Sequence, residues 1–157
     1  YHSLGNETAA RDTLQKAKDA DPKNPYPLAL MAQMAAWSGQ IESAISLYQQ
    51  ALQVDPRYAE AANNLALILA THPEERFRDG VRAVQLAEIA AAARVFKDPV
   101  SLDTLAAAYA EVGRFSDAQR TIESAIERGR ATGSVPLVEH LEKRRALYAA
   151  GKPARAE

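Results

Sequence analysis

Three histidines are the residues best suited to metal binding or proton transfer in this chain of 157 residues. His2, His72 and His140 are far apart, and no two of them share a metal-ligand spacing such as His-Glu-x-x-His. The chain has no cysteine, which excludes thiolate ligands and disulfides. We therefore expect each histidine on the surface or in a loop, and we predict no metal site and no cofactor.

Motifs for nucleophilic or phosphate chemistry are missing as well. The chain contains no Gly-x-Ser-x-Gly sequence, and Gly151–Pro153 lacks the further glycine and hydroxyl residue of a phosphate-binding loop. Adjacent acids and arginines in Glu74–Arg78 are typical of a solvated charge cluster. Lys143–Arg145 is basic, but Glu139 and Glu142 balance it on a predicted solvated helix face. The sequence predicts no catalytic residue, and the protein is not expected to be an enzyme.

Composition narrows the classes of partner. The formal net charge is -1, which argues against a general nucleic-acid binder. Hydrophobic residues make up 47% and charged residues 25%, as expected of a folded domain. The longest apolar run, Leu65–Ala70, is far too short for membrane insertion. Nothing in the sequence indicates the cellular compartment.

The elements that must position any binding residue follow from an internal repeat. Asp21-Pro22 and Asp55-Pro56 are separated by 34 residues, and both follow the same pattern of small and apolar residues. A third copy follows later, and a fourth, stretched copy lies between the second and the third. The three clear copies are Gly5, Ala10, Leu14, Ala17, Pro22; Gly39, Ala44, Tyr48, Ala51, Pro56; and Gly113, Ala118, Ile122, Ala125.

Each copy is predicted to be a pair of short helices. Gly39 and Gly113 fall where one helix ends and the chain must turn, which suits a positive φ. Ala44 and Ala118 are small, as needed where two helices cross closely. One pair cannot bury its apolar face alone, so neighbouring pairs must stack.

This pattern resembles the tetratricopeptide repeat over nearly the whole chain. The resemblance implies an all-α fold, a right-handed superhelical α-solenoid of stacked antiparallel helix pairs. It implies one domain with a partial repeat at 1–24, repeats at 25–58, 59–98 and 99–132, and a capping helix at 134–150. We expect a helix ending at Leu4 and a partner at 7–20. Further helices are expected at 25–38, 41–53, 59–71, 80–96, 99–112, 115–129 and 135–149.

Both ends of the chain and one loop depart from the repeat. Tyr1 falls where a first helix would already be ending, so we expect the chain to be cut from a longer protein, resembling bacterial multi-repeat proteins. The exposed N-terminal end would then allow weak homo-oligomer formation. Gly151–Glu157 is expected to be a frayed tail. Thr71–Gly80 is an expanded loop and the fallback candidate for binding.

In this family the first helix of each pair lines a concave groove, so the resemblance implies which residues contact a peptide or partner protein. Asn64 is the leading candidate, because a mid-helix asparagine has poor helix propensity and its amide can bond a peptide backbone. The alternative for Asn64, and for Asn63 beside it, is a local bond to a neighbouring helix or to water. Tyr26 and Trp37 offer apolar area with a polar group, although Trp37 could instead pack beneath the following turn. Asp103 would favour basic ligands. The full predicted set is Tyr26, Gln33, Trp37, Asn63, Asn64, Leu67 and Asp103.

Three functions remain open from the sequence. The first is a non-catalytic protein–protein interaction scaffold that binds a peptide or partner protein in its concave groove. The second is a structural or self-association module. The third is an accessory region of a larger enzyme, for example a membrane-attached one.

Overall fold

The computed structural model describes residues 2–156, with side chains from residue 8 onward. The described residues are α-helical apart from short connections and one 3-10 turn at Glu75–Phe77. The all-α prediction is confirmed. The helices are α1 His2–Ala20, α2 Tyr26–Trp37, α3 Ile41–Val54, α4 Ala59–Thr71, α5 Gly80–Ala93, α6 Pro99–Glu111, α7 Phe115–Ala131 and α8 Val135–Ala149.

Two helices differ from the predicted boundaries by more than two residues. The expected break between Leu4 and Glu7 is absent, and α1 runs continuously from His2 to Ala20. Gly5 is tolerated because a mid-helix glycine costs only about 1 kcal/mol relative to alanine. α5 ends at Ala93 rather than near residue 96, because Val95 and Phe96 both have φ of 53°. That left-handed conformation cannot continue a right-handed helix.

The chain divides into two compact units, residues 1–61 and 62–157. In the first unit α2 packs against both α1 and α3. Ala44 and Ala51 of α3 are fully buried. The turn between α2 and α3 has Gly39 at a φ of 73°, and the Gln40 N–H donates to the Ala35 carbonyl at 2.8 Å. The sequence-based turn and helix crossing are thus both present.

In the second unit α5, α6, α7 and α8 pack each against the next. Gly113, with a φ of 76°, forms the turn from α6 to α7. Asp98 caps α6, since its carboxylate accepts the Ser101 N–H at 2.9 Å. Gly129 allows α8 to approach α7 closely, because an added Cβ would lie 3.3 Å from Leu141 Cδ1.

Ala118 provides a test of the close crossing. Its side chain is completely buried in the core of the second unit. We expect Ala118→Leu to lower the free energy of unfolding by about 1–3 kcal/mol, because the crossing has no room for a larger side chain. Urea denaturation followed by circular dichroism measures the loss. Ala131→Leu, at an exposed position of the same helix, is the control; equal stability of the two variants would contradict a close crossing.

The C-terminal region is more ordered than the sequence predicted. Leu137, Val138 and Leu141 of α8 pack on the core, whereas Leu147 is 37% exposed and Tyr148 is buried. The expected frayed tail is wrong: Ala154 is buried in the same core. The Ala156 N–H donates to the Thr71 carbonyl at 2.8 Å.

Candidate functional site: exposed faces of α2 and α4

In the first unit, α2 presents an exposed stripe along one face. Tyr26, Leu30, Gln33 and Trp37 follow one another at spacings of four, three and four residues, which places them on one side of a helix. The side chain of Tyr26 is 51% exposed and that of Trp37 is 77% exposed. Trp37 therefore does not pack beneath the turn at Gly39. We call these four residues the α2 stripe.

Local hydrogen bonding fixes the start of the α2 stripe. The Asn24 side chain accepts the Tyr26 N–H at 3.0 Å, which satisfies one of the amides left unpaired at a helix start. The opposite side of α2 is anchored by Leu28, Ala32 and Ala35, all buried. Packing on one side of α2 thus leaves Tyr26 and Trp37 exposed at the ends of the stripe, whereas Leu30 and Gln33 between them are partly buried.

On α4, the predicted residues Asn63, Asn64 and Leu67 are each partly exposed. Asn63 donates from its side-chain nitrogen to Asn64 Oδ1 at 3.4 Å. Asn63 Oδ1 is buried and has no hydrogen-bond partner among the described residues. The two amides therefore form a pair with unused hydrogen-bonding capacity. We call these three residues the α4 surface.

The carboxylate of Glu60, at the start of α4, accepts a hydrogen bond from within the protein. The Tyr58 hydroxyl donates to Glu60 Oε2 at 3.2 Å. Burial, followed by the charge of Glu60, raises the pKa of Tyr58 to about 12, so the phenol stays a neutral donor at physiological pH. This bond holds the Glu60 carboxylate in place.

Asp103 is not on an exposed face as the sequence had predicted. It is only 7% exposed, and α8 covers it. Arg144 Nη1 lies 2.9 Å and His140 Nε2 lies 3.1 Å from Asp103 Oδ2. Its neighbour Thr104 is buried too, with its hydroxyl donating to the Val100 carbonyl at 3.2 Å. The predicted groove face of α6 is thus a packing surface for the capping helix.

Sequence reasoning missed Arg144 because a basic run on an amphipathic helix is typical of solvent exposure. In the structure the Arg144 side chain is 12% exposed and meets a carboxylate 41 positions away in the chain. A usable signal was the charge of Asp103 itself. It lies between Leu102 and Thr104 in a helix whose other residues are mostly small or apolar.

The expanded loop is a folded element and not an open one. His72 packs edge-on against the buried Phe77 ring, with centroids 4.7 Å apart, and Arg76 lies over that ring at 4.2 Å. Arg78 donates to the His72 and Pro73 carbonyls, each at 2.9 Å. Asp79 caps α5 by accepting the Arg82 N–H at 3.0 Å.

The described part of the chain contains neither a cluster of metal-binding side chains nor a helix that could span a membrane. Among these residues, no group of three or more His, Asp or Glu side chains could hold a metal ion. None of the described helices is long and apolar enough to cross a membrane.

Comparison with known proteins agrees with the repeat pattern. A family model described as "TPR repeat" matches residues 38–72, and one described as "Tetratricopeptide repeat" matches residues 1–24. No curated protein sequence matches this chain.

Two solved structures share the fold. One is titled "MamA RS-1 ArsTM double mutant", with a TM-score of 0.68 and 16% identity over 92% of this chain and 80% of that chain. The other is "Crystal structure of PilW, widely conserved type IV pilus biogenesis factor", with a TM-score of 0.64 and 17% identity over 96% of this chain and 73% of that chain. At such identities the likeness shows the fold alone.

Taken together, the helix pairs and their turns define an all-α helical-repeat protein. By these matches residues 1–24 and 38–72 are similar to tetratricopeptide repeats, as the sequence pattern had predicted. Repeats of this family indicate a protein–protein interaction scaffold, and the family is generally non-catalytic.

Proposed function

We propose that this protein binds an extended peptide, or an extended segment of a partner protein, through the α2 stripe of the first unit, and that the α4 surface of the second unit is a separate candidate contact. The observation that carries the proposal is the exposure of Tyr26 and Trp37 on one face of α2. Large aromatic side chains are costly to leave in water and are enriched among residues that dominate binding energy. The chain has a single tryptophan, and it lies on this face.

The α4 surface would supply a different kind of contact. Asn63 Oδ1 is a buried acceptor with no partner among the described residues, and Asn64 presents a second amide beside it. Asn63 Oδ1 is enclosed by the protein, whereas the partly exposed Asn64 amide could bond a ligand backbone without selecting a side chain. The proposal is therefore aromatic anchoring on the α2 stripe, with backbone bonding at the α4 surface tested separately. Asp103, being buried and paired, has a structural role in this scheme.

A phage-displayed library of random peptides, selected on the intact chain, supplies a probe. Binding of the recovered peptide, labelled with a fluorophore, is measured by anisotropy against variants. We expect Trp37→Ala to weaken binding by about 2 kcal/mol or more, roughly thirtyfold, as for a buried aromatic anchor. For a peptide that binds at the α4 surface, Asn64→Ala should cost about 1–3 kcal/mol by leaving a ligand donor unpaired.

Val81→Ala is the matched control, since Val81 is an apolar residue of α5 with 67% exposure outside both surfaces. In the unsubstituted chain, Trp37 fluorescence should shift to shorter wavelength as the peptide covers the indole. The proposal fails if the library yields no binder, or if Trp37→Ala binds the selected peptide as tightly as Val81→Ala does.

A further inference from the structure

Residues 152–156 follow the turn at Gly151 and run without secondary structure along the second unit. Ala154 is 3% exposed and belongs to the core that also contains Leu102, Ala106 and Tyr148. We call residues 152–156 the docked segment, and the cleft that receives it the docking cleft. The docked segment touches the unit in three chemically different ways.

The first contact is the Ala154 side chain, which fills a small apolar pocket. In the second, the Ala156 N–H donates to the Thr71 carbonyl at 2.8 Å. Thr71 is the last residue of α4, and the final carbonyls of a helix have no partner inside the helix. In the third, Arg155 Nη1 lies 2.6 Å from Glu111 Oε2 at the end of α6.

The Glu111 carboxylate is held in place by other residues of the second unit, independently of the docked segment. Glu111 Oε1 accepts from Arg78 Nε at 2.9 Å, and both side chains are largely buried. The Arg78 guanidinium is in turn fixed by the His72 and Pro73 carbonyls. Arg78 therefore orients the Glu111 carboxylate so that its second oxygen faces the position of Arg155. Because the carboxylate is already oriented, forming an ion pair with an arriving guanidinium costs less conformational entropy.

A backbone hydrogen bond, a small side-chain pocket and an oriented charge are the means by which domains recognise extended peptides. We propose that the docking cleft is a second peptide-binding site, selective for an extended segment in which a small apolar residue precedes arginine. The chain's own residues 152–156 occupy it and block it. This site shares no residue with the α2 stripe or the α4 surface, so it can be tested independently of the proposed function.

Intramolecular occupation makes the site hard to detect in the intact chain. A segment joined by a short connection is present at an effective concentration on the order of millimolar, so a free peptide with the same contacts competes poorly. The docked segment is short and makes few contacts, which places it among the parts of a fold that open most readily. Weakening its own contacts should therefore expose the cleft while the helices remain folded.

The experiment uses the full chain carrying Arg155→Glu and Ala156→Pro. The first change opposes the charge of Glu111, and the second removes the N–H that bonds the Thr71 carbonyl. The probe is the labelled peptide Gly-Lys-Pro-Ala-Arg-Ala, blocked at both ends and followed by anisotropy. We expect the double variant to bind this peptide at least tenfold more tightly than the intact chain does.

Three further arms test the chemistry. Adding Glu111→Gln to the double variant should reduce the affinity at least tenfold, and a peptide with glutamate in place of arginine should not bind. Lys152→Glu alone is the control, because it reverses an exposed charge of the same segment and should leave binding as weak as in the intact chain. Trp37→Ala should leave the affinity of the double variant unchanged, which separates this site from the α2 stripe.

Circular dichroism checks that the double variant keeps its helices, and a chain ending at Gly151 provides a second way to empty the cleft. The proposal is overturned if every folded variant with a displaced segment binds the peptide no more tightly than the intact chain. It is also overturned if binding is insensitive to Glu111→Gln.

Discussion

Asp103→Ala is expected to lower the free energy of unfolding by about 3–5 kcal/mol, because it leaves the Arg144 guanidinium buried without its carboxylate. Both side chains are nearly inaccessible, at 12% and 11% exposure, so water cannot replace the lost partner. Urea denaturation followed by circular dichroism measures the change. The expected loss is a large fraction of the total stability of an ordinary domain.

Two comparisons isolate the cause of that loss. Glu74→Ala removes an exposed carboxylate from its pair with Arg76 and should cost less than about 1 kcal/mol. Replacing Asp103 and Arg144 together by leucine should recover most of the loss, since a buried ion pair is often no more stabilising than apolar residues of similar volume. The coupling between the two single substitutions then reports their direct contact.

A small effect of Asp103→Ala, equal to that of Glu74→Ala, would mean that α8 does not cover α6 in solution. Asp103 would then be accessible, as the sequence alone had suggested, and its assignment to ligand binding would return. The measurement thus decides between a structural and a recognition role for the same carboxylate.

Helix boundaries within the repeats could be predicted because their signals are local. The glycines at 39 and 113 adopt the positive φ that ends a helix, and the Asp98 carboxylate bonds an amide three residues away. Ala44 and Ala118, which hold the same place in their two helix pairs, are both fully buried, whereas Ala10, the equivalent residue of the first copy, is exposed. Such signals need no knowledge of distant residues.

Contacts between distant parts of the chain could not be predicted in the same way. Asp103 meets Arg144 across 41 positions, and Arg155 meets Glu111 across 44. Charged residues on helices and at chain ends are exposed in most proteins, so their types favoured solvent. The end of α5 was missed for a different reason, since valine and phenylalanine rarely adopt the positive φ found at Val95 and Phe96.

The same distinction between local signals and contacts with distant residues applies to the candidate binding residues. Tyr26 and Trp37 were selected by helical spacing alone, and their exposure agrees with that selection. Asp103 was selected by the same spacing, but the capping helix covers it. Periodicity identifies which face of a helix turns away from its own pair, whereas a later element of the chain can still cover that face.

Tyr148→Ala is expected to produce a loss of similar size, about 3–5 kcal/mol, through the cavity left by a fully buried aromatic ring. Tyr148 lies in the core of the second unit with Ile122, Leu141 and Ala154, so its ring links α7, α8 and the docked segment. The peptide carbonyl of Tyr148 also accepts from the Gln119 side chain at 3.2 Å, and this bond can survive the substitution. The loss therefore reports the ring.

The hydroxyl of the same residue should contribute little. It is buried beside Arg144 but makes no hydrogen bond of acceptable geometry with any described residue, and burial raises the pKa of the phenol. Removing a buried hydroxyl that has no hydrogen-bond partner does not cost the protein a hydrogen bond. Tyr148→Phe should therefore be within about 1 kcal/mol of the wild type, or more stable, in urea denaturation. A loss as large as that of Tyr148→Ala would show that the hydroxyl, and not the ring, holds α8 on the repeats.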